Sequence, residues 1–511
     1  MAHVNNFERD IERRHQRDKI YRRDAVEIYK YDGQTIDLLN SPDDISKFIG
    51  HHLEAQVPRL QMLDDYYQGL NFNIMRNQRR REKHLADNRA AHDFASYITD
   101  FINGYCFGHA IQVQSDATMT QDKINKLHQL NDIDSHNRSL GLDLSIFGRA
   151  YEYVIRNQQD EVRIYKSDPR NTFVIYDTSI EQNSLMAIRY WQVDKEEAHN
   201  PNEKTNNIYY VDVVTDQATY FFIANSVTNL KLTERKPPEA HSFSKVTITE
   251  FSNNEKRRGD FEKVIPLIDL YDEAQSDTAN YMSDLNDAML LIKGNVDLDE
   301  NVAKLQKEAN VFHLSPEVYR DSDDKPSEGS VDAQYIYKQY DVNGVESYKD
   351  RISRNIHMFT NTPDMTDENF SGNQSGEAMK YKLFGLEQRT AIKEGLFRKG
   401  LNRRYKLIGE IMSINREIDK ENIKDLVFTF TRNLPKSLTD EMTMYLSAGG
   451  ELSQKTLMSL VSFIDNPQEE IKRIQTEQEE KIKHSDELMY KDESIEKENG
   501  SIDDNTDDNK E

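Results

Sequence analysis

The sequence predicts an α+β fold in which an antiparallel β section lies between two helical sections. Three observations carry this. The apolar period shifts from three-or-four to two near residue 150, and back near residue 260. A helix, a short strand-bearing insert and a returning helix follow one another over 260–360, which makes one projection out and back. A polar segment rich in turn formers, 361–376, then leads into a helix predicted over 377–415.

Taken in order, residues 1–30 are charged and mixed in sign, with Arg13, Arg14, Arg17, Arg22 and Arg23 close together. Two readings stand: a mobile solvated arm, or a contact to DNA or a partner. Ser41-Pro42-Asp43-Asp44 reads as a helix start, with Ser41 as cap and Pro42 in the first turn. The helix continues through Ile45, Phe48, Ile49 and Leu53, and Pro58 interrupts or restarts it. A second helix is predicted over 86–103 on the Ala90, Phe94, Tyr97, Ile98 and Phe101 side, ending at Gly104. The basic cluster Arg79–His84 precedes it as a solvated face or a contact to an acidic neighbour.

The β section opens with a hairpin, Tyr151–Arg156 and Val162–Tyr165 around polar Asn157–Asp160. Strands follow at Phe173–Tyr176, Met186–Val193, Tyr209–Val214, Thr219–Ile223 and Val246–Phe251, with Pro237-Pro238 in a loop. Helix returns with Ile268, Tyr271, Gln275, Thr278, Met282, Leu285 and Met289 as its stripe, and Pro266 marks its start or a kink. The insert over 291–341 holds a strand up to Lys293, a short helix near 300–309, and a returning strand Tyr335–Tyr340. Its polar run Asp321–Ser330 is a loop tip. The returning helix, 344–359, carries Val345, Tyr348, Ile352, Ile356 and Phe359 on one stripe. Gly385, Gly395, Gly400 and Gly409 fall inside the long helix at ~1 kcal/mol each relative to Ala, which predicts a bend or close contacts. Residues 420–465 read as a smaller helical unit with Leu457, Leu460, Val461 and Ile464 as its core face. The acidic remainder ends, after Asp492, in a stretch too polar to order.

Composition limits the function. A chain of 511 residues exceeds one hydrophobic core, so roughly two to four domains are expected. The apolar share of 36% is low and suits extended helices in an assembly. A formal charge of −24 argues against a surface that grips duplex DNA, but not against a ring through which DNA slides. The single Cys106 excludes a disulfide framework and reads as buried filler. No run approaches the length that spans a bilayer and no apolar leader opens the chain, so a soluble protein without a membrane partner is expected.

Chemistry-bearing motifs are absent. Gly372–Lys380 lacks the spacing of a phosphate loop. Asp321-Ser-Asp323-Asp-Lys325-Pro326 puts Pro where a calcium loop needs Gly, and Lys where it needs an oxygen ligand. His51-His52 are neighbours and so point to different parts of a helix surface, which makes no metal pair. No Gly-x-Ser-x-Gly elbow occurs. The expectation is no catalytic residue, no metal and no cofactor.

Two stretches, Phe370-Ser-Gly-Asn-Gln-Ser-Gly-Glu-Ala-Met-Lys-Tyr-Lys-Leu-Phe-Gly-Leu-Glu387 and Phe173-Val-Ile-Tyr-Asp177, and the order of parts carry a resemblance. Ser135–Asp143, Ala279–Ala288 and Asn433-Leu-Pro-Lys436 add to it. Over roughly 40–490 the chain resembles the portal proteins of tailed siphophages of Gram-positive bacteria, more specifically their staphylococcal branch. The resemblance implies a portal fold: a wing of helices and antiparallel β, a helical stem, a small α/β clip, a long kinked helix and a helical crown, assembled as a ring oligomer. It implies a flexible arm over 1–40, wing over 41–258, stem helices over 259–290 and 343–360, clip over 291–342 and tunnel loop over 361–376. The long wing helix would be 377–415, the crown 416–490 and the disordered acidic tail 491–511.

The function so implied is a homododecamer at one capsid vertex, a passive conduit for double-stranded DNA during packaging and ejection. Its partners would be the terminase large subunit, the major capsid and scaffold proteins and the head–tail connector. The protein would be made in the host cytoplasm and end in the virion. Tunnel-loop Asn361, Thr362, Asp364, Asn369 and Asn373 would face DNA, and Asp321, Asp323, Asp324 and Lys325 would be the docking tip of the clip. Lys349, Arg351 and Arg354 would form rings on the stem, touching DNA or pairing with Glu346 or Asp350 across subunits. A carboxylate-based hydrolase and a non-portal head–tail adaptor ring are the competing functions, the latter disfavoured because such adaptors are much shorter.

Overall fold

The computed structural model of the chain describes residues 23–75, 86–193, 208–224, 231–284, 289–293, 318–320, 326–328, 332–336, 341–365, 381–414, 423, 425–433, 438–448, 453–459, 461, 464, 467 and 469–482. The chain divides into two units, Met1–Asn433 and Leu434–Glu511.

The arm expected over 1–40 is ordered in its described half. Asp24–Val26 form a 3-10 turn, β1 is Tyr29–Tyr31 and α1 is Thr35–Leu39. Ala25, Tyr29 and Leu38 are buried, so a few apolar side chains anchor a segment whose average composition is polar. Helix α2 (Pro42–His51) continues through a π turn, His52–Gln56, into α3 (Val57–Tyr67). Pro58 sits in the first turn of α3, directly after the π turn, the local irregularity that accommodates a residue without an N–H inside a continuous helix. Ser41 occupies the N-cap position, but its hydroxyl donates to the Asp44 carboxylate at 2.8 Å.

After the short α4 (Phe72–Met75), the helix expected over 86–103 begins only at Phe94. It runs as α5 (Phe94–Phe107), straight through Gly104. Helices α6 (Thr118–Asn131) and α7 (Ile133–Phe147) follow the short strand β2 (Gln112–Gln114).

The hairpin falls where the sequence puts it, as β3 (Arg149–Arg156) and β4 (Val162–Ser167). The next strands are β5 (Thr172–Asp177), β6 (Ser184–Val193), β7 (Ile208–Val214), β8 (Ala218–Ala224), β9 (Thr233–Ala240) and β10 (Ile248–Ser252). One sheet is ordered β1-β5-β6-β7-β8-β9 and another β10-β3-β4. All neighbours are antiparallel except β1 with β5. Pro237-Pro238, expected in a loop, lies in β9. That strand closes one edge of its sheet, where a residue without an N–H is tolerated.

One face of the larger sheet packs Phe173, Ile175, Met186, Ile188 and Val211 against Leu38, Ile45 and Ile49. Its other face joins Val174, Ala187 and Val214 to Tyr151, Val246 and Ile248.

Helix α8 (Ile265–Asp284) starts beside Pro266. In the insert, β11 (Met289–Lys293) pairs with β14 (Asp332–Ile336) and β12 (Val318–Arg320) with β13 (Pro326–Glu328), both antiparallel. The run expected as a loop tip, 321–330, thus contains a strand. The returning strand begins at Asp332 rather than Tyr335. The helix expected near 300–309 lies outside the described residues.

The chain returns as α9 (Val342–Thr360), and α10 (Phe384–Ile414) is the long helix. Arg404 of α10 is wholly buried, with Nε 3.0 Å from Glu152 Oε1 of β3 and Nη1 2.8 Å from Asn137 Oδ1 of α7. A strand expected nowhere, β15 (Val427–Thr429), pairs antiparallel with β2. The first part of the span 416–490 therefore belongs to the first unit, up to Asn433. The second unit holds α11 (Leu438–Ser447), α12 (Gln454–Ser459) and helical residues 469–482. Leu457 and Val461 are buried there, as their spacing predicts, and Ile464 is half-buried.

Candidate functional site

Helix α8 turns a polar row, not the expected apolar stripe, toward the fold. After Ile268 its buried positions, four apart, are Asp272, Ser276 and Asn280. Their side chains accept the backbone N–H groups of His92, Ala90 and Asn88 at 2.9, 3.0 and 2.6 Å. Two residues of extended chain advance ~6.6 Å and four residues of helix ~6 Å, so the two repeats match when 88–92 runs antiparallel to α8. This is why 88–92 is not helical: its alternate N–H groups are already held. From the expected stripe, Met282 is 50% exposed and Met289 belongs to β11.

Helix α9 packs on α8, and Lys349, Ile352, Ile356 and Thr360 are its buried positions. Lys349 is thereby removed from the candidate stem cations. Its ammonium donates to Gln275 Oε1 at 2.7 Å and lies 2.7 Å from Glu346. Arg351 and Arg354 are exposed, and Arg354 Nε donates to the Asp350 carbonyl at 3.3 Å. Tyr348 and Phe359, expected to pack, are 46% and 56% exposed.

The base of the candidate loop is built into the fold. Helix α9 ends at Asn361, whose φ of 57° is the left-handed conformation that Asn tolerates at a helix end. Thr362 is buried: its N–H donates to the His357 carbonyl at 3.1 Å and its hydroxyl lies 2.7 Å from that of Thr360. The Pro363 carbonyl accepts the Tyr97 hydroxyl at 2.7 Å. The His357 ring stands edge-on to Tyr97, centroids 5.6 Å apart, and burial pushes its pKa down. Thr362 is therefore corrected from a DNA-facing residue to an anchor. Asp364 is half-buried. Asn369 and Asn373 lie outside the described residues, as do Asp321, Asp323, Asp324 and Lys325.

The other end of the loop is tied to the same place. Arg389 of α10 donates from Nη1 to the Thr360 carbonyl at 2.8 Å and from Nη2 to Asp260 Oδ1 at 3.0 Å. Lys393, one turn on, donates to Asp260 Oδ2 at 2.7 Å and to the Ser145 hydroxyl at 2.6 Å. Asn253 donates to Asp260 Oδ1 at 2.8 Å. Burial by itself raises the Asp260 carboxyl, but the Lys393 and Arg389 charges beside it outweigh that and hold it at about 2. The buried carboxylate thus joins α7, the chain after β10, α10 and, through Arg389, the end of α9.

Among the described residues no group of His, Cys, Asp and Glu could hold a metal ion, and no helix is long and apolar enough to cross a membrane. His51 bonds Tyr29 and Asp24 while His52 bonds Tyr190, so the adjacent histidines point apart. Cys106 is buried against Thr390.

The residues at 88–92, Tyr97, Asp260, Arg389 and Lys393 were not candidates on sequence. The polar i, i+4 row of α8 was the one signal that could have exposed the first contact.

The sequence of residues 46–484 matches the family model described as "Phage portal protein, SPP1 Gp6-like". The chain is 24% identical over 404 residues to the portal protein of Bacillus phage SPP1, covering 76% of each. It is 22% identical over 410 residues to the portal protein of Clostridium phage phiCD119, covering 78% of this chain and 86% of that one.

Proposed function

This chain belongs to the SPP1 Gp6-like phage portal protein family, and from that premise we propose that it forms a homododecameric ring at one capsid vertex. Double-stranded DNA enters through the ring during packaging and leaves through it at ejection. Helices α8 and α9 are its stem. The insert between them is the clip, which receives the terminase large subunit during filling and the head–tail connector afterwards. The β-rich part up to residue 258 is the wing, facing major capsid and scaffold proteins, and the unit after Asn433 is the crown. The protein does no chemistry of its own: the terminase supplies the ATP-driven work.

The observation that carries this reading is the apolar surface left open on the projection. Tyr348, Met358 and Phe359 on α9 and Leu270 and Met282 on α8 are each more than two-fifths exposed. Large side chains on both helices of a projection favour burial against other copies, and a head-to-tail contact that closes makes a ring. The net charge of −24 suits a channel that must release DNA. Exposed Arg351 and Arg354 supply the cations that touch phosphate or pair across copies.

Native mass measurement with negative-stain imaging of the purified protein tests it. Closed rings are the expected result, and a chain that stays monomeric at every salt concentration would overturn the reading.

A further inference from the structure

Four glycines lie within α10, and three have reasons inside the chain. A Cβ at Gly385 would lie 2.8 Å from Asn361 Oδ1, one at Gly400 would overlap the Phe251 ring, and one at Gly409 would overlap Ile423. Gly395 has no such reason. Among the described residues nothing lies within 4 Å of where its Cβ would be, and its φ is not positive. A glycine in mid-helix that needs neither room nor an unusual backbone is the least favourable ordinary choice there.

Helical geometry puts Phe384, Ala391, Ile392, Lys399 and Lys406 on the same side as Gly395. All are exposed, Phe384 at 61% and Ile392 at 59%. The opposite side, with Leu386, Lys393, Phe397, Leu401 and Arg404, is the buried one. The open face thus has a half that is apolar apart from exposed Gln388, a residue without a side chain at its middle, and a half bearing two lysines.

We propose that this face of α10 docks a second copy of the chain, with Gly395 as the point of closest approach. The absent side chain permits close approach by any occupant, near the short end of the usual 8–10 Å helix separation, and the charge favours another copy. The lysines stand on a chain of net charge −24, so a second copy brings complementary charge. The inference rests on the ring reading and names the surface that reading leaves open.

Gly395→Trp fills the face from a position where a Cβ meets no described atom, and Ile392→Asp charges its apolar half. Sedimentation and native mass should show subunit association weakened at least tenfold in both, with circular dichroism unchanged and the melting midpoint of the unassembled chain not lowered. Should Gly395→Trp fail to fold, Ile392→Asp gives the same reading from an exposed site. If the variants assemble as the parent chain does, this face is not the contact and the ring reading stands. If the parent chain never assembles, both fall.

Discussion

Arg389 reaches the Thr360 carbonyl across 2.8 Å, so one guanidinium closes the two ends of the candidate tunnel loop. Its other contact, Asp260, is fixed by Lys393 and Asn253. The loop therefore springs from a rigid footing that its polar sequence does not suggest.

Replacing Arg389 by Ala should cost about 2–4 kcal/mol, because the charge-assisted bonds go and Asp260 loses one of two cations. The amides of Asn361 and Thr362 should then exchange hydrogen faster, while those of β3 and β4 keep their protection. Arg389→Lys, unable to hold both acceptors in one fork, should give an intermediate effect. Unchanged exchange at 361–362 would show that the bridge does not secure the loop.

The Asp260 carboxyl is held at about 2, below the ~3.9 of an unfolded chain. A depressed acid contributes stability that is present above the unfolded value and is lost as pH falls through the folded one. The contribution is about 2–3 kcal/mol near neutrality, disappearing between about pH 4 and 2. Asp260→Asn should lower the urea midpoint at pH 7, and the gap to the parent chain should narrow as pH falls to about 2. A gap of constant size would mean that the carboxylate charge is not what the cations hold.

Gly400 and Gly395 should answer the same substitution in opposite senses. Gly400→Ala drives a methyl group into the Phe251 ring and should destabilise by about 1–3 kcal/mol. Gly395→Ala meets open space and should stabilise the unassembled chain by up to ~1 kcal/mol. Paired thermal melts decide, and a loss at both positions would refute the contrast.

These contrasts show what the sequence made legible. The change of period near 150 and 260 reported backbone patterns, and β3 to β8 and α8 to α10 fall near the expected places. Partners distant in sequence left no such trace. Glu152 and Arg404 are 252 residues apart and Asp260 and Lys393 133 apart, and each reads locally as an ordinary charge on a surface. Lys349 was misjudged for the same reason: a charge at a buried helical position is readable only once Gln275 and Glu346 are seen beside it. Strand β15 was missed because three residues carry no period, and β9 because its prolines argue against a strand everywhere except at an edge.

The loop itself gives the last test. Thr362 and Pro363 are anchored by Thr360, His357 and Tyr97, so the part free to face a channel can begin only after them. A deletion should spare those anchors and Arg389, which makes 366–374 the segment to remove. It takes out Thr-Asp-Glu-Asn-Phe-Ser-Gly-Asn-Gln, with Phe370 the one large apolar side chain lost. The residues left before α10 can still span ~20 Å at full extension, enough to rejoin ends that Arg389 holds together. The protein should fold, melt within ~2 °C of the parent chain and assemble as the parent does, since a segment of polar sequence contributes little to a core. On the proposed function, in which this segment meets DNA at the ring axis, packaging or retention of packaged DNA should fail. Particles that fill and keep full-length genomes normally with this deletion would show that DNA passes without contacting the loop.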